Sequence, residues 1–289
     1  MANVIDLKAH PTRHGGAAAS PFRYPGGKGF LTPFLKDELL RRFPKGQAGF
    51  AEPFCGGAGA ALNLLLDGDV KRLFLNDADV RVYSAWRAIT DETDRFISAI
   101  NNTEPTIENW ETSLRKLHDT NATSYDFELG FAAFFVNRTS RSGVLLGSGP
   151  IGGYDQSGKW KIDARYYKDS LSDRVAKIGA LRHCIETSNL DGLTFCRALE
   201  ERELLSETFL FVDPPYVKAG SRLYFDGMTV AKHDALAQWL AADVAPHWLL
   251  TYDDHPLVRE NYKNKKEYRL DVRYSLGRRR TERELLFMS

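Results

Sequence analysis

TFLFVDPPY, residues 208–216, is an apolar run that stops at an acid, two prolines and an aromatic. Thr208, Phe209, Leu210, Phe211 and Val212 follow one another with no polar alternation, the pattern of a strand buried on both faces of a parallel sheet. Asp213 then falls at the carboxyl end of that strand, the edge at which open α/β sheets bind ligands. Pro214 and Pro215 fix φ and remove two amide donors, so the turn holds Asp213, the Pro214 carbonyl and the Tyr216 ring in a fixed relation. A plain strand-ending Asp-Pro turn has the same four residues, and the flanking sequence decides between the two.

Upstream, residues 48–54 (AGFAEPF) read as a strand, Cys55-Gly56-Gly57-Ala58-Gly59-Ala60 as a turn, and AALNLLLDG as a helix. Strand, glycine turn and helix form a nucleotide-binding unit, because the backbone passes close to the ligand and the helix start offers unpaired N–H groups. It is not the dinucleotide fingerprint: Leu62 stands where GxGxxG has its third glycine. A nicotinamide dehydrogenase would also leave residues 213–216 without a role. About twenty residues on, the strand RLFLN ends in Asp77, placed to accept hydrogen bonds from two ribose hydroxyls or to cap the helix VRVYSAWRAI. Ahead of the turn, Pro21-Phe22-Arg23-Tyr24-Pro25-Gly26-Gly27-Lys28 opens a short amphipathic helix. Its spacing is not the GxxxxGK[ST] of a P-loop, which disfavours a nucleotide triphosphatase.

Residues 91–182 break the strand-helix alternation and read as an insertion. From Arg138 to Arg174 they carry seven Lys or Arg against four Asp, interleaved with Tyr154, Trp160, Tyr166 and Tyr167. Cations, aromatics and glycines together suit a nucleic-acid-contacting loop; a solvated charged face has the same composition. After a helix (SLSDRVAKIGALR), residues 183–188 return to strand, with Asn189 and Asp191 at its end. TVAKHDALAQWLAADV then reads as a helix and HWLLTYDD as a buried strand. The tail, EYRLDVRY, SLGRRRTER and ELLFMS, reads as a hairpin closing the sheet, with Arg278, Arg279 and Arg280 at its tip to meet phosphates or solvent.

Composition narrows the class. With 289 residues, 43% hydrophobic and 27% charged, the chain suits a soluble protein of one large domain plus an insertion. No stretch approaches the ~18 apolar residues of a membrane helix, and residues 1–20 lack a signal peptide's apolar block, so the expected place is the cytoplasm, with those residues a flexible leader. Cys55, Cys184 and Cys196 form neither a disulfide framework nor a zinc pattern. The net charge of +1 neither demands nor excludes nucleic acid.

FRYPGGK, EPFCGGAG, the insertion and DPPY, in that order, resemble the Dam-like family of DNA adenine-N6 methyltransferases, and the resemblance spans most of the chain. It implies a Rossmann-like α/β sheet with an antiparallel C-terminal hairpin: residues 21–90 and 183–289 as catalytic domain, and 91–182 as an inserted, mostly helical target-recognition domain. It implies S-adenosylmethionine as donor, S-adenosylhomocysteine as product, and no metal. Tyr24, Lys28, Pro53, Phe54, Gly56, Gly57 and Gly59 would cradle the donor, Asp77 its ribose and Asp191 its adenine, with Asp213 bordering it. Asp213, Pro214, Pro215 and Tyr216 would be catalytic. Asn137, Arg138, Arg141, Ser142, Gly143, Lys159 and the three tip arginines would contact double-stranded DNA. A monomer is expected, with no membrane partner and with a cognate restriction endonuclease as a candidate partner. Cytosine-N4 methylation, or a relative that binds DNA without catalysis, are the alternatives. In chemical terms, Asp213 and the Pro214 carbonyl would accept from the two N–H groups of an exocyclic amine, aiming its lone pair at the methyl group, while Tyr216 stacks on the flipped base.

Overall fold

Eight strands form a single sheet: β1 (Asn3–Val4), β2 (Gly49–Glu52), β3 (Arg72–Asn76), β4 (Ile185–Ser188), β5 (Thr208–Val212), β6 (Trp248–Asp253), β7 (Glu267–Tyr274) and β8 (Arg280–Met288). The computed structural model describes residues 3–4, 19–23, 26–145, 147–218, 227–274 and 280–289. The strand order is β1-β7-β8-β6-β5-β2-β3-β4. Every neighbouring pair is parallel except those of β8, which runs antiparallel to both β6 and β7. Thr208–Val212 is buried at all five positions, as its unbroken apolar run requires. The expected α/β sheet with an antiparallel closing hairpin is the observed one.

The order fixes where a ligand can sit. From β2 the chain goes to β3 and β4 on one side, then returns to β5 and β6 on the other. The sheet therefore reverses its winding between β2 and β5, and the crevice at the carboxyl ends of these two strands is the switch point at which open α/β sheets bind ligands. Glu52 and Asp213 end those two strands.

Helices cover both faces. On one face lie α1 (Thr32–Arg42), α2 (Gly59–Leu66), α3 (Val80–Asp91) and the insertion helices α4 (Thr93–Asn102), α5 (Ile107–His118), α6 (Phe127–Thr139) and α7 (Lys168–Ala180). On the other lie α8 (Gly192–Glu201), α9 (Val230–Ala241) and α10 (Pro256–Asn261). Side-chain caps start several of them: Asp79 accepts from Arg81 N, Asp126 from Leu129 N and Thr229 from Lys232 N. Helix α6 is apolar nearly all round and, apart from Glu128, buried along its length, as such a helix must be. It passes so close to α3 that a Cβ on Gly130 would lie 2.5 Å from the Ser84 carbonyl carbon. Phe96, Trp110 and Phe134 of the insertion share one core with Phe50 and Phe209 of the sheet. The core thus runs through the boundary drawn at residue 91.

Within the expected leader, Asn3–Val4 pairs in parallel with Tyr268–Arg269 at the β7 edge, and Ser20 is buried. An edge strand presents unpaired N–H and C=O groups, and Asn3–Val4 pairs with them. Tyr24, Arg278 and Arg279 lie outside the described residues, and Arg280 is described only as the first residue of β8.

Candidate active site

Asp213 sits among three donors. Its Oδ2 accepts from Lys28 Nζ at 2.9 Å, and its Oδ1 from Thr251 Oγ1 at 2.6 Å and from the Tyr216 hydroxyl at 3.2 Å. Lys28 is buried, its Nζ also donates to the Gly26 carbonyl at 2.9 Å, and Glu284 Oε1 lies 3.7 Å away. Burial alone would pull the ammonium pKa down, but Asp213 and Glu284 outweigh it and raise the pKa, so Lys28 stays charged. The FRYPGGK segment and the DPPY turn, 185 residues apart, therefore meet as a part-buried ion pair, with the lysine buried and the aspartate open to the crevice. Removing Asp213 would leave the buried ammonium without its nearest carboxylate, which is the costly way to break a pair.

Strand β6 braces the same turn from its other side. Thr251 orients Asp213, while Asp253 accepts from the backbone N–H groups of Val217 and Lys218 at 3.1 and 3.0 Å. Between them, the buried Tyr252 hydroxyl lies 2.6 Å from His233 Nδ1, and its ring centroid is 6.2 Å from that of Tyr216. Desolvation lowers the His233 pKa, so the imidazole is neutral at neutral pH. The Tyr216 ring thus has a fixed aromatic backing. In the sequence HWLLTYDD reads as a strand; the signal for a further role is three polar or hydroxylated residues, Thr251, Tyr252 and Asp253, at the end of an otherwise apolar run.

The glycine turn lies across the crevice. Gly56 (φ 44°) and Ala58 (φ 45°) both adopt the left-handed region, so the turn uses one non-glycine residue where glycine is the easier choice. Trp86 Nε1 donates to the Gly56 carbonyl at 2.7 Å and Ser20 Oγ to the Gly57 carbonyl at 2.5 Å, fixing the turn from two sides. Gly59 starts α2, and a Cβ there would lie 3.6 Å from Gly29 N, so the turn abuts the short helix that carries Lys28. Asp77 accepts from Gly56 N at 2.9 Å and from Asp79 N at 3.0 Å, and Asp79, not Asp77, caps α3. Burial, with the Asp79 charge beside it, pushes the Asp77 carboxyl up to about 7. Glu52 is buried at the end of β2, and its carboxyl accepts from Ala61 N at 3.3 Å. Burial first, then Asp213, against the opposing pull of Ala61 N–H and Lys28, pushes Glu52 up to about 8.

Asn76, buried at the end of β3, holds three strand ends together. Its amide donates to the Pro53 and Leu190 carbonyls at 2.8 and 2.9 Å and accepts from Leu190 N and Ser188 Oγ, each at 2.9 Å. The Phe54 ring packs so closely on Gly192 that a Cβ there would lie 2.3 Å from it. Asp191 caps α8 through Leu193 N at 3.1 Å and pairs with Lys232 at 2.8 Å. Burial would raise its pKa, but Lys232 and the helix N–H groups hold it below the ordinary carboxylate range. Burial pushes the Cys55 and Cys196 thiols up, so both are protonated and poor nucleophiles.

Lys28, Glu52, Pro53, Phe54, Gly56, Gly57, Gly59, Asp77, Pro214 and Tyr216 therefore surround the β2–β5 switch point with Asp213, and Asp191 stands at the end of β4. The expected DNA contacts divide. Asn137 is buried, and its amide accepts from Arg23 N at 2.8 Å and donates to the Arg23 and Gly143 carbonyls at 3.1 and 2.8 Å. Gly143 (φ 72°) meets the same segment; a Cβ there would lie 1.8 Å from the Arg23 carbonyl oxygen. These two, with Ser142 (φ 59°) between Arg141 and Gly143, shape a turn that braces residues 20–23. Arg138 is also buried and donates to the Arg165 carbonyl. Arg141 and Lys159 are exposed. The glycine-rich loop beyond them is ordered by Gln156, which donates to the Ile151 carbonyl at 2.8 Å and accepts from Ile162 N at 2.9 Å.

Among the described residues no three His, Cys, Asp or Glu side chains gather as a metal site would need, and no helix is long and apolar enough to cross a membrane. The family model for D12 class N6 adenine-specific DNA methyltransferases matches residues 24–276. Modification methylase StsI from Streptococcus sanguinis is 23% identical over 219 residues, covering 72% of this chain and 30% of that protein. The chain thus spans under a third of the length of that curated relative. Among solved structures, the rRNA methyltransferase aviRa from Streptomyces viridochromogenes aligns over 98% of this chain and 93% of that one, with 16% identity and a TM-score of 0.38. That score is too low to support a statement about this chain.

Proposed function

The chain belongs to the D12 class N6 adenine-specific DNA methyltransferase family, and we propose that it methylates the N6 amine of an adenine in duplex DNA with S-adenosylmethionine as donor. The observation that carries this reading is the position of Asp213. A carboxylate aimed by Lys28 and Thr251 stands at the switch point, opposite a glycine turn and the Asp77 carboxylate.

The residues fit the donor. The Asp213 carboxylate suits a molecule carrying a sulfonium cation, and Asp77, at the end of β3, suits its ribose hydroxyls. When bound, the donor supplies an electrophilic methyl group. The chain's own task is then to make a poor nucleophile attack it. The N6 lone pair is delocalised into the purine; Asp213 and the Pro214 carbonyl accept from its two N–H groups and favour a pyramidal nitrogen. A C–N bond forms, the C–S bond breaks, and the nitrogen loses one proton toward Asp213 or solvent. Tyr216, backed by Tyr252, stacks on the extruded base; such stacking contributes about 1–3 kcal/mol, against an unstacking cost of a few kcal/mol. Lys28, Pro53, Phe54, Gly56, Gly57, Gly59, Asp77 and Asp191 hold the donor, with Tyr24. In this reading Arg141 and Lys159 meet DNA phosphates or bases, and Arg138 and the tip arginines Arg278, Arg279 and Arg280 are assigned to the same partner. The proposed setting is a cytoplasmic monomer, and similarity to a modification methylase supports a restriction endonuclease as functional partner.

The test is transfer of labelled methyl from S-adenosylmethionine to duplex DNA, with the modified base identified by mass spectrometry. N6-methyladenine, abolished in Asp213→Ala, is the expected result. Label found only as N4-methylcytosine would overturn the base assignment, and DNA binding without label in the wild type would overturn catalysis.

A further inference from the structure

Four arginines converge where the insertion meets the N-terminal segment. Arg23 Nη1 donates to the Ser140 carbonyl at 3.2 Å, Arg138 Nε to the Arg165 carbonyl at 2.8 Å, and Arg174 Nη1 to the Ser20 carbonyl at 3.0 Å. These bonds bring together residues 20–23, the end of α6, the middle of α7 and the loop before it. Arg138 is only 6% exposed, and Arg174 Nε is buried without a hydrogen-bond partner. Among the described residues none of the four makes an ion pair, although buried or half-buried cations elsewhere, such as Lys28, Arg42 and Arg81, do; Arg23, Arg138 and Arg174 are buried or half-buried, and Arg165 is the exposed member at the rim. The acid nearest to Arg174, its neighbour Asp173, is paired with Lys177 at 2.8 Å.

Burial and mutual repulsion both register. Desolvation, then the charges of Arg23, Arg174 and Arg165, push the Arg138 guanidinium down to about 9; burial and Arg165 lower Arg23, and burial lowers Arg174. Buried charges are ordinarily paired, so a cluster of like cations is costly until an anion joins it. Guanidinium forks match phosphate oxygens in geometry and charge. The surroundings select the kind of phosphate. Trp160 is 59% exposed, with Lys159 Nζ and Arg165 Cζ each 5.8 Å from its ring centroid, and Tyr167 is exposed beside the cluster. Exposed rings flanked by cations suit a nucleic-acid strand more than a free ion.

We propose that Arg23, Arg138, Arg165 and Arg174 form a seat for one backbone phosphate of bound DNA. The seat rests on the proposed DNA substrate, and it assigns Arg138 to backbone positioning rather than base reading.

Duplex binding by Arg174→Gln, Arg23→Gln and the charge-preserving Arg174→Lys, measured from 50 to 200 mM salt on several unrelated sequences, tests it. Each glutamine variant should bind every sequence about tenfold more weakly, with the slope of log K against log salt shallower by about 0.9. Arg174→Lys should recover most of the slope. Thermal melts confirm folding; should Arg174→Gln fail to fold, Arg23→Gln carries the test. An unchanged slope, or weakening confined to one sequence, overturns the seat. A parallel melt in inorganic phosphate against chloride at equal ionic strength identifies the other source: stabilisation by phosphate with unchanged duplex binding would assign the cluster to a free anion and overturn the DNA seat. Arginine-dependent binding without methyl transfer would sink the proposed activity and leave the seat standing; methyl transfer with an unchanged slope would do the reverse.

Discussion

Asp213 is the residue on which the proposed chemistry turns, and its three contacts set what each substitution should do. Asp213→Asn keeps the shape and removes the charge, so the amine loses its stronger acceptor. The expected fall in kcat is about 10²- to 10³-fold, the scale of losing one aimed polar group, with donor affinity within a few-fold by calorimetry; equal losses in both would make Asp213 a binding residue only. Glu52 gives a pH signature. Unfolded, a glutamate titrates near 4.3; folded, Glu52 is pushed up to about 8, and Asp77 to about 7. Between those values the folded chain holds more protons than the unfolded one, so the stability these groups contribute is complete below pH ~4 and lost as pH rises toward 8. Urea titrations of the ligand-free protein should show this decline, and Glu52→Gln should flatten it; an unaltered decline in the variant would mean that Glu52 is ionised in the fold. Neither Lys28 nor Glu52 could be assigned these roles from sequence. Lys28 was legible as part of a motif, but its partner stands 185 residues away, and Glu52 was only the residue before a proline. The same blindness misplaced Asn137, a polar residue in an apolar helix: its partners, the Arg23 and Gly143 backbones, are set by tertiary packing.

At the scale of elements, the strands were legible because burial on both faces leaves an unbroken apolar run. RLFLN and TFLFV are β3 and β5 to the residue. The insertion was legible only as a change of periodicity. Its glycine-rich loop carries no apolar period, and its order comes from the Gln156 amide and from the pairing of Ser140 with Pro150. The turn at residues 141–143 is a sharp case of an element fixed by close approach. Gly143→Ala would place a methyl 1.8 Å from the Arg23 carbonyl oxygen in a backbone with φ 72°. No flexible side chain is there to yield, so the turn has to move. A destabilisation of about 2 kcal/mol or more is expected, read as a lower midpoint in urea with an unchanged m-value. Full stability would mean that the turn shifts freely and does not brace residues 20–23.

At the scale of the whole molecule, residues 20–23 touch both halves of the proposed machinery. Ser20 Oγ holds the glycine turn through the Gly57 carbonyl, while the Ser20 carbonyl accepts from Arg174 and the Arg23 backbone is clamped by Asn137. The glycine turn of the proposed donor pocket and the insertion are therefore joined by a short stretch of backbone. Its position was not legible in the sequence, where it sits at the border of a leader without periodicity. Because both ends of the stretch are hydrogen-bonded, ordering one should restrain the other, which is coupling through a shared element. Donor binding should slow amide exchange not only at residues 55–62 but also at Arg23 and around Asn137 and Arg174. Ser20→Ala keeps the Arg174 contact and cuts the bond to the glycine turn. It should weaken donor binding roughly fivefold, the scale of one hydrogen bond of about 1 kcal/mol, and confine the slowed exchange to the turn itself. Protection that still reaches Asn137 in Ser20→Ala would place the coupling in the shared core of α3 and α6 instead, where Gly130 packs on Ser84.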